Sequence, residues 1–338
     1  MLLRSRWSWR LGLLVILTGM VGSLSGTAMG AGRWRPPIEV MVDPGHEVLV
    51  ARFGEWLSDD RVMWQVVRDL HGEPQDNIAI RIAPEDKKRL VMGEDYVLAF
   101  TRYRKNRLLG EGLELDPEGP RIVEIIGVGS AVFPDSSELK RLVRRGSSAD
   151  PDLHQDLGDL EHLLAVGSPD VQQLAATELY LRPELLELST AETVAALGSV
   201  LEMRATGAEL RNLILQLGLE LPEPLRPEWL VVESRAVLSS TSVRLELASF
   251  EPALVETALE VLLLHGVAPD GELVSPFLGS NSPGVVKAAV GAIRAVECES
   301  GLPVARDLLS RDRLHVESKR ALEDFVEAGC SEAESASL

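Results

Sequence analysis

The side chains best suited to holding a cation stand near the start of the chain, in Val42-Asp-Pro-Gly-His-Glu47. Asp43, His46 and Glu47 bring two carboxylates and one imidazole into a single short segment, a donor set that suits a divalent ion. Asp-Pro-Gly is equally an ordinary turn sequence, and a turn alone accounts for it. The expectation is that no metal is bound, with Asp43, His46 and Glu47 the first ligands to test.

The remaining histidines are His71, His154, His162, His265 and His315. No HExxH, CxxC or His-x-His occurs. His154 and His162 lie two turns apart on one expected helix, too far for one ion unless that helix breaks. Gly127-Val-Gly129 begins like a nucleotide fingerprint, but Val132 stands where a third glycine would be and no helix opens there. No Gly-x-Ser-x-Gly elbow is present, so the nucleophile of an α/β-hydrolase is missing. No catalytic residue and no cofactor is expected.

Arg102-Tyr-Arg-Lys-Asn-Arg107 is the densest basic run. Basic residues around an aromatic can bind single-stranded nucleic acid, or this run can dock on an acidic surface. A solvated hairpin tip is the simpler expectation. Cys298 and Cys330 are the only cysteines. Too few for a disulfide framework, they leave the fold to its apolar core. They stand close to one helical repeat apart. Stacked helices are about 10 Å apart, beyond the reach of a disulfide of about 7 Å between Cα atoms. Gly329 would allow a turn that folds Cys330 back, so a bridge and two separate thiols both stay open.

These groups sit on a chain of 338 residues, 45% hydrophobic and 25% charged, which is ordinary for globular protein and suggests roughly two domains. Arg4, Arg6 and Arg10 precede an apolar run from Leu11 to Val21, and small residues follow to Ala31. This is the layout of a signal peptide spanning 1–30, with cleavage between Gly30 and Ala31, or after Ala28. The alternative is an uncleaved membrane anchor, the one case in which a membrane would be a partner. No cysteine follows the apolar run for lipid attachment, and no second segment of about 18 apolar residues exists. The expected location is periplasmic or secreted.

Charge is uneven. Residues 31–150 carry 18 Lys and Arg against 21 Asp and Glu, a net of −3, whereas residues 151–338 carry 13 against 31, a net of −18. So acidic a surface repels phosphates, so nucleic acid is not an expected partner.

The pattern along the chain has two halves. The first domain spans 38–145, and within it residues 38–133 read as short strands separated by turns: a run from Val48 to Leu57, a second from Val62 to Leu70, and the alternation Ile78, Ile80, Ile82. Asp95–Tyr103, Leu108–Leu115 and Arg121–Val128 follow, and Lys87-Lys-Arg89 suits a helical turn. About six such strands suggest a small barrel or sandwich, closed by a helix over Glu138–Arg145. Residues 146–151 form a linker. Over 152–329 the period becomes helical: Ser168-Pro169 and Ser282-Pro283 each supply an N-cap and a first-turn proline. Further helices are expected at Leu160–Ala165, Leu273–Leu278 and Leu302–Leu309. Val171, Leu210, Val255, Val286 and Val316 recur at 39, 45, 31 and 30 residues, the spacing of an α-solenoid. Residues 330–338 form a tail.

Two resemblances follow from these segments. "HEVLVARFGEW", "VVRDLHGEP", "NIAIRI" and "GEDYVLAF", over residues 40–145, resemble a netrin-like domain, the OB-type barrel shared with tissue inhibitors of metalloproteinases. That family's inhibition depends on an N-terminal cysteine, and this segment contains none, so only the barrel fold is implied. "SPFLGSNSPGVVKAAVGAIRAV" and "ARDLLSRDRLHVESKRALEDFV" resemble short bacterial HEAT repeats. Leu278, Ser282-Pro283, Val286, Ala289 and Ile293 carry the likeness in the first, and Leu309, Val316 and Ala321 in the second. Four to six repeats are expected. The resemblance implies a recognition surface; some relatives are bilin lyases, but no residue here carries that activity over.

The expected fold is thus α+β and multidomain: a small all-β, OB- or netrin-like barrel, then an α-solenoid of HEAT-like helical repeats. The expected role is an exported binding or scaffold module for another envelope protein or peptide. The alternatives are an exported enzyme with a site between the domains, or a membrane-anchored scaffold.

Overall fold

A computed structural model describes residues 34–72, 76–105, 112–148, 152–203, 206–265, 270–311 and 314–330. The expected signal segment 1–30, its cleavage point at Gly30 and Ala31, and all of the tail except Cys330 lie outside the described residues.

The first half is a barrel-like sheet. A short helix α1 (Pro37–Met41) leads into β1 (His46–Trp56), β2 (Arg61–His71), β3 (Asn77–Arg81) and β4 (Asp95–Thr101), with a 3-10 turn at Pro84–Lys88. β5 (Tyr103–Lys105) pairs with β6 (Leu113–Leu115). β7 (Arg121–Ile122), β8 (Glu124–Ile125), β9 (Gly129–Ser130) and β10 (Val132–Pro134) complete it. β1 pairs antiparallel with β2 on one edge and with β4 on the other. β2 pairs with β3, β3 runs parallel to β7 at Arg81↔Arg121, and β7 joins β4 at Phe100↔Ile122. Five strands therefore close a ring, in an order that fits an OB-like barrel.

β1 serves two neighbours because it bends. Its register against β2 shifts at Val48/Leu49, Val50/Ala51 and Phe53/Glu55, and each shift increases local twist. Gly54 sits in the last of these; a Cβ there would stand 2.7 Å from the Met63 carbonyl oxygen, so the two strands approach too closely for a side chain. Inside the ring Trp64 is fully buried between Phe53 and Tyr96, with ring centroids 5.7 and 5.9 Å away. β9, β10 and α1 have no counterpart in the sequence pattern, because elements of two to five residues are too short to show a period.

Helix α2 (Ser137–Gly146) closes the barrel, capped by Ser136, whose hydroxyl accepts from the Leu139 amide at 3.1 Å. Leu139, Leu142 and Val143 are buried on one face, which leaves Arg141 and Arg145 on the other.

The second half is helical. α3 (Leu153–Val166), α4 (Pro169–Leu181), the short α5 (Pro183–Leu186), α6 (Ala191–Glu202) and α7 (Ala208–Glu220) come first. α8 (Trp229–Ser240), α9 (Glu251–His265), α10 (Gly271–Val274) with a 3-10 turn at Ser275–Gly279, α11 (Pro283–Leu309) and α12 (Val316–Ala328) follow. α4 packs on α7, α7 on α9, α9 on α11 and α11 on α12; α3 packs on α6, and α8 on α10.

The helices differ from the expected pattern in three details. α11 is two helices joined at Glu297, whose φ of −164° and ψ of 74° are not helical. Leu302–Leu309 is thus the end of its second arm. Val316 is 80% exposed as the first residue of α12, so it is not the equivalent of the buried Val171, Leu210, Val255 and Val286; Leu322 and Phe325 fill the core instead. Ser168 stands at the N-cap of α4, but its hydroxyl makes no capping bond, whereas Ser282 accepts from the Val285 amide at 3.5 Å.

One hydrophobic core runs from Ile38 through the barrel and on to Leu221, and a second runs from Leu215 to Phe325. The division between the cores falls at α7 and α8, not where the barrel meets the helices.

Candidate functional site

The Asp43–Glu47 turn does not converge. Asp43 faces Arg35 at 2.8 Å, and that guanidinium holds the Asp43 carboxyl below its ordinary range. His46 Nδ1 lies 2.7 Å from the Val40 carbonyl oxygen, and Glu47 accepts from Arg102 at 2.6 Å. Three different partners thus take the three side chains, while Thr101 Oγ1 ties the turn by donating to the Gly45 carbonyl at 3.1 Å. Among the described residues, no group of three His, Cys, Asp or Glu is placed to hold a metal ion. His154 and His162 both lie exposed on α3.

The basic run folds back on the barrel. Arg102 meets Glu47, Arg104 meets Glu114 across the β5–β6 pair at 2.8 Å, and Arg107 lies outside the described residues. Gly127 and Gly129 have positive φ and form the tight β8–β9 turn, so no phosphate-binding helix follows them. Shallow recesses of ≈ 380 and ≈ 560 Å3 flank the β1–β2 turn, where Lys87 covers Trp56 at 5.5 Å. They are lined by charged and half-exposed groups, without the buried apolar walls of a small-molecule pocket.

The most densely organised polar region is the seat of the barrel on the first helices. Arg145 reaches Asp156 at 2.6 Å and Asp159 at 2.5 Å, and Arg141 also meets Asp159. Asp156, only 3% exposed, accepts a second arginine, Arg182, at 3.0 Å. On the far side of α4, Arg89 bridges the buried Asp86 of the barrel and Asp170 of the helix, at 2.7 Å to the latter. Between these clusters Gln173 and Thr177 both donate to the Gly127 carbonyl, at 2.9 and 3.3 Å. Glu178 accepts the Ile38 amide at 2.8 Å, and its burial pushes the carboxyl up to about 7.

Sequence reasoning did not find this seat. Its partners are far apart in the chain, and singly each reads as a charge on an amphipathic helix. One signal was available: Asp156 and Asp159 share the stretch of α3 that carries the buried Leu157 and Leu160, where a solvated carboxylate would not be placed.

Cys298 and Cys330 form a disulfide, with Cα atoms 5.7 Å apart. The kink at Glu297 puts Cys298 at the start of the second arm of α11, and Gly329, with φ of 61°, turns the chain after α12. The spacing of parallel helices therefore does not set the separation of this pair.

Fold and site together define an α+β protein: a five-strand barrel-like sheet followed by a helical half, with a charged seat joining them. Among the described residues no helix is long and apolar enough to cross a membrane. Compared with protein-family models, curated proteins and solved structures, the chain matches none.

Proposed function

We propose that this protein is an exported binding or scaffold module with no catalytic activity of its own. In this reading an OB- or netrin-like barrel is seated on a short solenoid of HEAT-like repeats. The stacking order α4–α7–α9–α11–α12, with α3 packed on α6 and α8 on α10 beside it, supports the repeat reading. The observation that carries the function is the seat itself. Its arginines and carboxylates are engaged with one another rather than directed at a cavity, and one hydrophobic core runs through it. The two halves then present one composite surface, which suits recognition of another envelope protein or peptide. The acidity of the helical half opposes nucleic acid as the partner.

The test combines location with capture. Protein from the envelope fraction is sequenced at its N-terminus, then cross-linked in situ and the adducts mapped by mass spectrometry. A terminus near Ala31 and cross-links from the helical surface to one recurrent partner are expected. An intact Met1 terminus in the membrane fraction would replace export with anchoring, and the absence of any recurrent partner would remove the scaffold role.

A further inference from the structure

The far end of the stack is closed covalently. Among the described elements, α12 packs substantially on α11 alone. It lies parallel to the first arm of α11, where Lys287 meets Glu317 at 3.3 Å and Arg294 donates to the Asp324 carbonyl at 3.1 Å. It lies antiparallel to the second arm, where the Phe325 ring comes against Gly301 and Cys298 is bonded to Cys330. The second arm and α12 therefore form a hairpin, joined at one end through residues 310–315 and at the other by the bridge.

Without the bridge little holds α12 in place. Leu322 and Phe325 are its only apolar side chains fully withdrawn from solvent. The Ser318 hydroxyl is buried without a hydrogen-bond partner among the described residues, which costs stability rather than adding it. The outward face carries Glu317, Lys319, Arg320, Glu323, Asp324 and Glu327, all exposed. An isolated helix of 13 residues is marginal in water, and two apolar anchors offset little of the entropy lost in ordering it. Both cysteines are only half-buried, so a reductant in solution reaches the bridge.

The seat under α12 is shaped to α12 itself. A methyl group on Gly301 would stand 3.3 Å from the Phe325 ring and 2.7 Å from Ile293, so the bare backbone makes room for that ring. The Arg294 guanidinium lies over the same ring, 5.3 Å from its centroid. An occupant must bring an aromatic ring for Gly301 and Arg294, with a carboxylate about two helical turns before it for Lys287. The α12 of a second copy brings both.

From these contacts we infer that the Cys298–Cys330 bridge is a redox latch against exchange of α12 between two copies of this chain. Oxidised, each α12 stays on its own α11. Reduced, α12 leaves and takes the same seat on a second copy, whose α12 crosses the other way. The two seats are identical, so the exchange closes at a two-fold dimer. A dithiol reductant opens the latch: two electrons and two protons turn the bridge into two thiols, and the reductant becomes a disulfide. In the dimer, glutathione disulfide re-forms the bridge between Cys298 of one copy and Cys330 of the other, releasing two glutathione thiols per bridge. The inference stands apart from the binding-module reading, because its partner is a second copy.

The test mixes unlabelled and heavy-isotope-labelled purified protein. One portion is reduced with dithiothreitol at high protein concentration and reoxidised with glutathione disulfide; the other is never reduced. Mass spectrometry identifies the bridged peptides, and light scattering reads the mass of the particle. The reduced portion should double in mass and carry mixed bridges, light Cys298 to heavy Cys330 and the reverse. The other portion should remain monomeric, with every bridge within one isotope. Bridges within one isotope in both portions would overturn the latch. So would Cys298–Cys298 and Cys330–Cys330 pairs in statistical proportion to the mixed bridges, the mark of random oxidation. Cys298→Ser with Cys330→Ser removes the sulfur chemistry, and that variant should dimerise without reductant as concentration rises; a monomer at every concentration would also sink the inference. Any of these failures would leave cross-links to an envelope partner, and with them the binding-module reading, untouched.

Discussion

Glu178 of α4 accepts the backbone amide of Ile38 at 2.8 Å, across 140 residues of sequence. The bond fixes the entry of the barrel to the helical half. The carboxylate that makes it is 1% exposed, with Arg182 at 3.5 Å.

Stability should therefore depend on pH through this group. Burial raises the Glu178 carboxyl from 4.5 to about 7, against the opposing pull of the Ile38 amide and Arg182. The folded state binds the proton more tightly than the unfolded one, so stability falls as pH rises between those two values. Glu178→Gln keeps an acceptor for Ile38 and carries no charge. The variant should exceed the parent by on the order of 1–3 kcal/mol at pH 8, and the gap should close near pH 5. Urea denaturation at both pH values measures it; a variant less stable by the same amount at each pH would refute the assignment.

Arg145 should be the most sensitive of the seat's arginines. It bonds two carboxylates, Asp156 and Asp159, and is itself mostly buried. Arg145→Met should cost about 2–4 kcal/mol, because two buried charges lose a partner. Adding Asp156→Leu should recover part of that loss, since the pair then disappears together. Additive losses in denaturant titrations would show that the two residues do not act as one unit.

The Cys298–Cys330 bridge should tie the last helix to the stack. It closes a span of 32 residues, which in the chain-entropy model is worth roughly 3–4 kcal/mol. Cys330→Ser should accelerate hydrogen exchange across Val316–Ala328, the terminal helix with a neighbour on one side only, and lower the melting temperature. Alkylation of the unreduced protein should label neither cysteine. Two labelled thiols would remove the bridge.

Closure of the barrel should depend on Gly54. A methyl group there would stand 2.7 Å from the Met63 carbonyl oxygen, and neither backbone can yield without opening the β1–β2 pair. Gly54→Ala should cost about 1–3 kcal/mol in thermal or chemical unfolding. Gly93→Ala is not a comparable control because Gly93 has a positive φ; Gly158→Ala, on an open face of α3, should be neutral or slightly stabilising.

Much of the architecture was local and therefore legible. The alternation Ile78, Ile80, Ile82 and the proline-started helices at Pro169 and Pro283 each depend on residues within one or two turns of each other, and the structure has both. So does the change of period between the halves, which separates the strands from the helices. Other features depended on partners that no local pattern specifies. The ring closes because β1 bends enough to reach β4, some 50 residues on. The core crosses from barrel to helices because α4 turns Gln173, Thr177 and Glu178 toward Gly127 and Ile38, and the buried Glu178 carboxyl is tolerable only once the Ile38 amide arrives to donate to it. Asp43, His46 and Glu47, neighbours in sequence, are parted by Arg35, Val40 and Arg102, while Cys298 and Cys330 are brought together by a kink at Glu297 that helical periodicity does not reveal. Short-range backbone preference determines the elements; which charges and sulfurs meet is decided only when those elements pack.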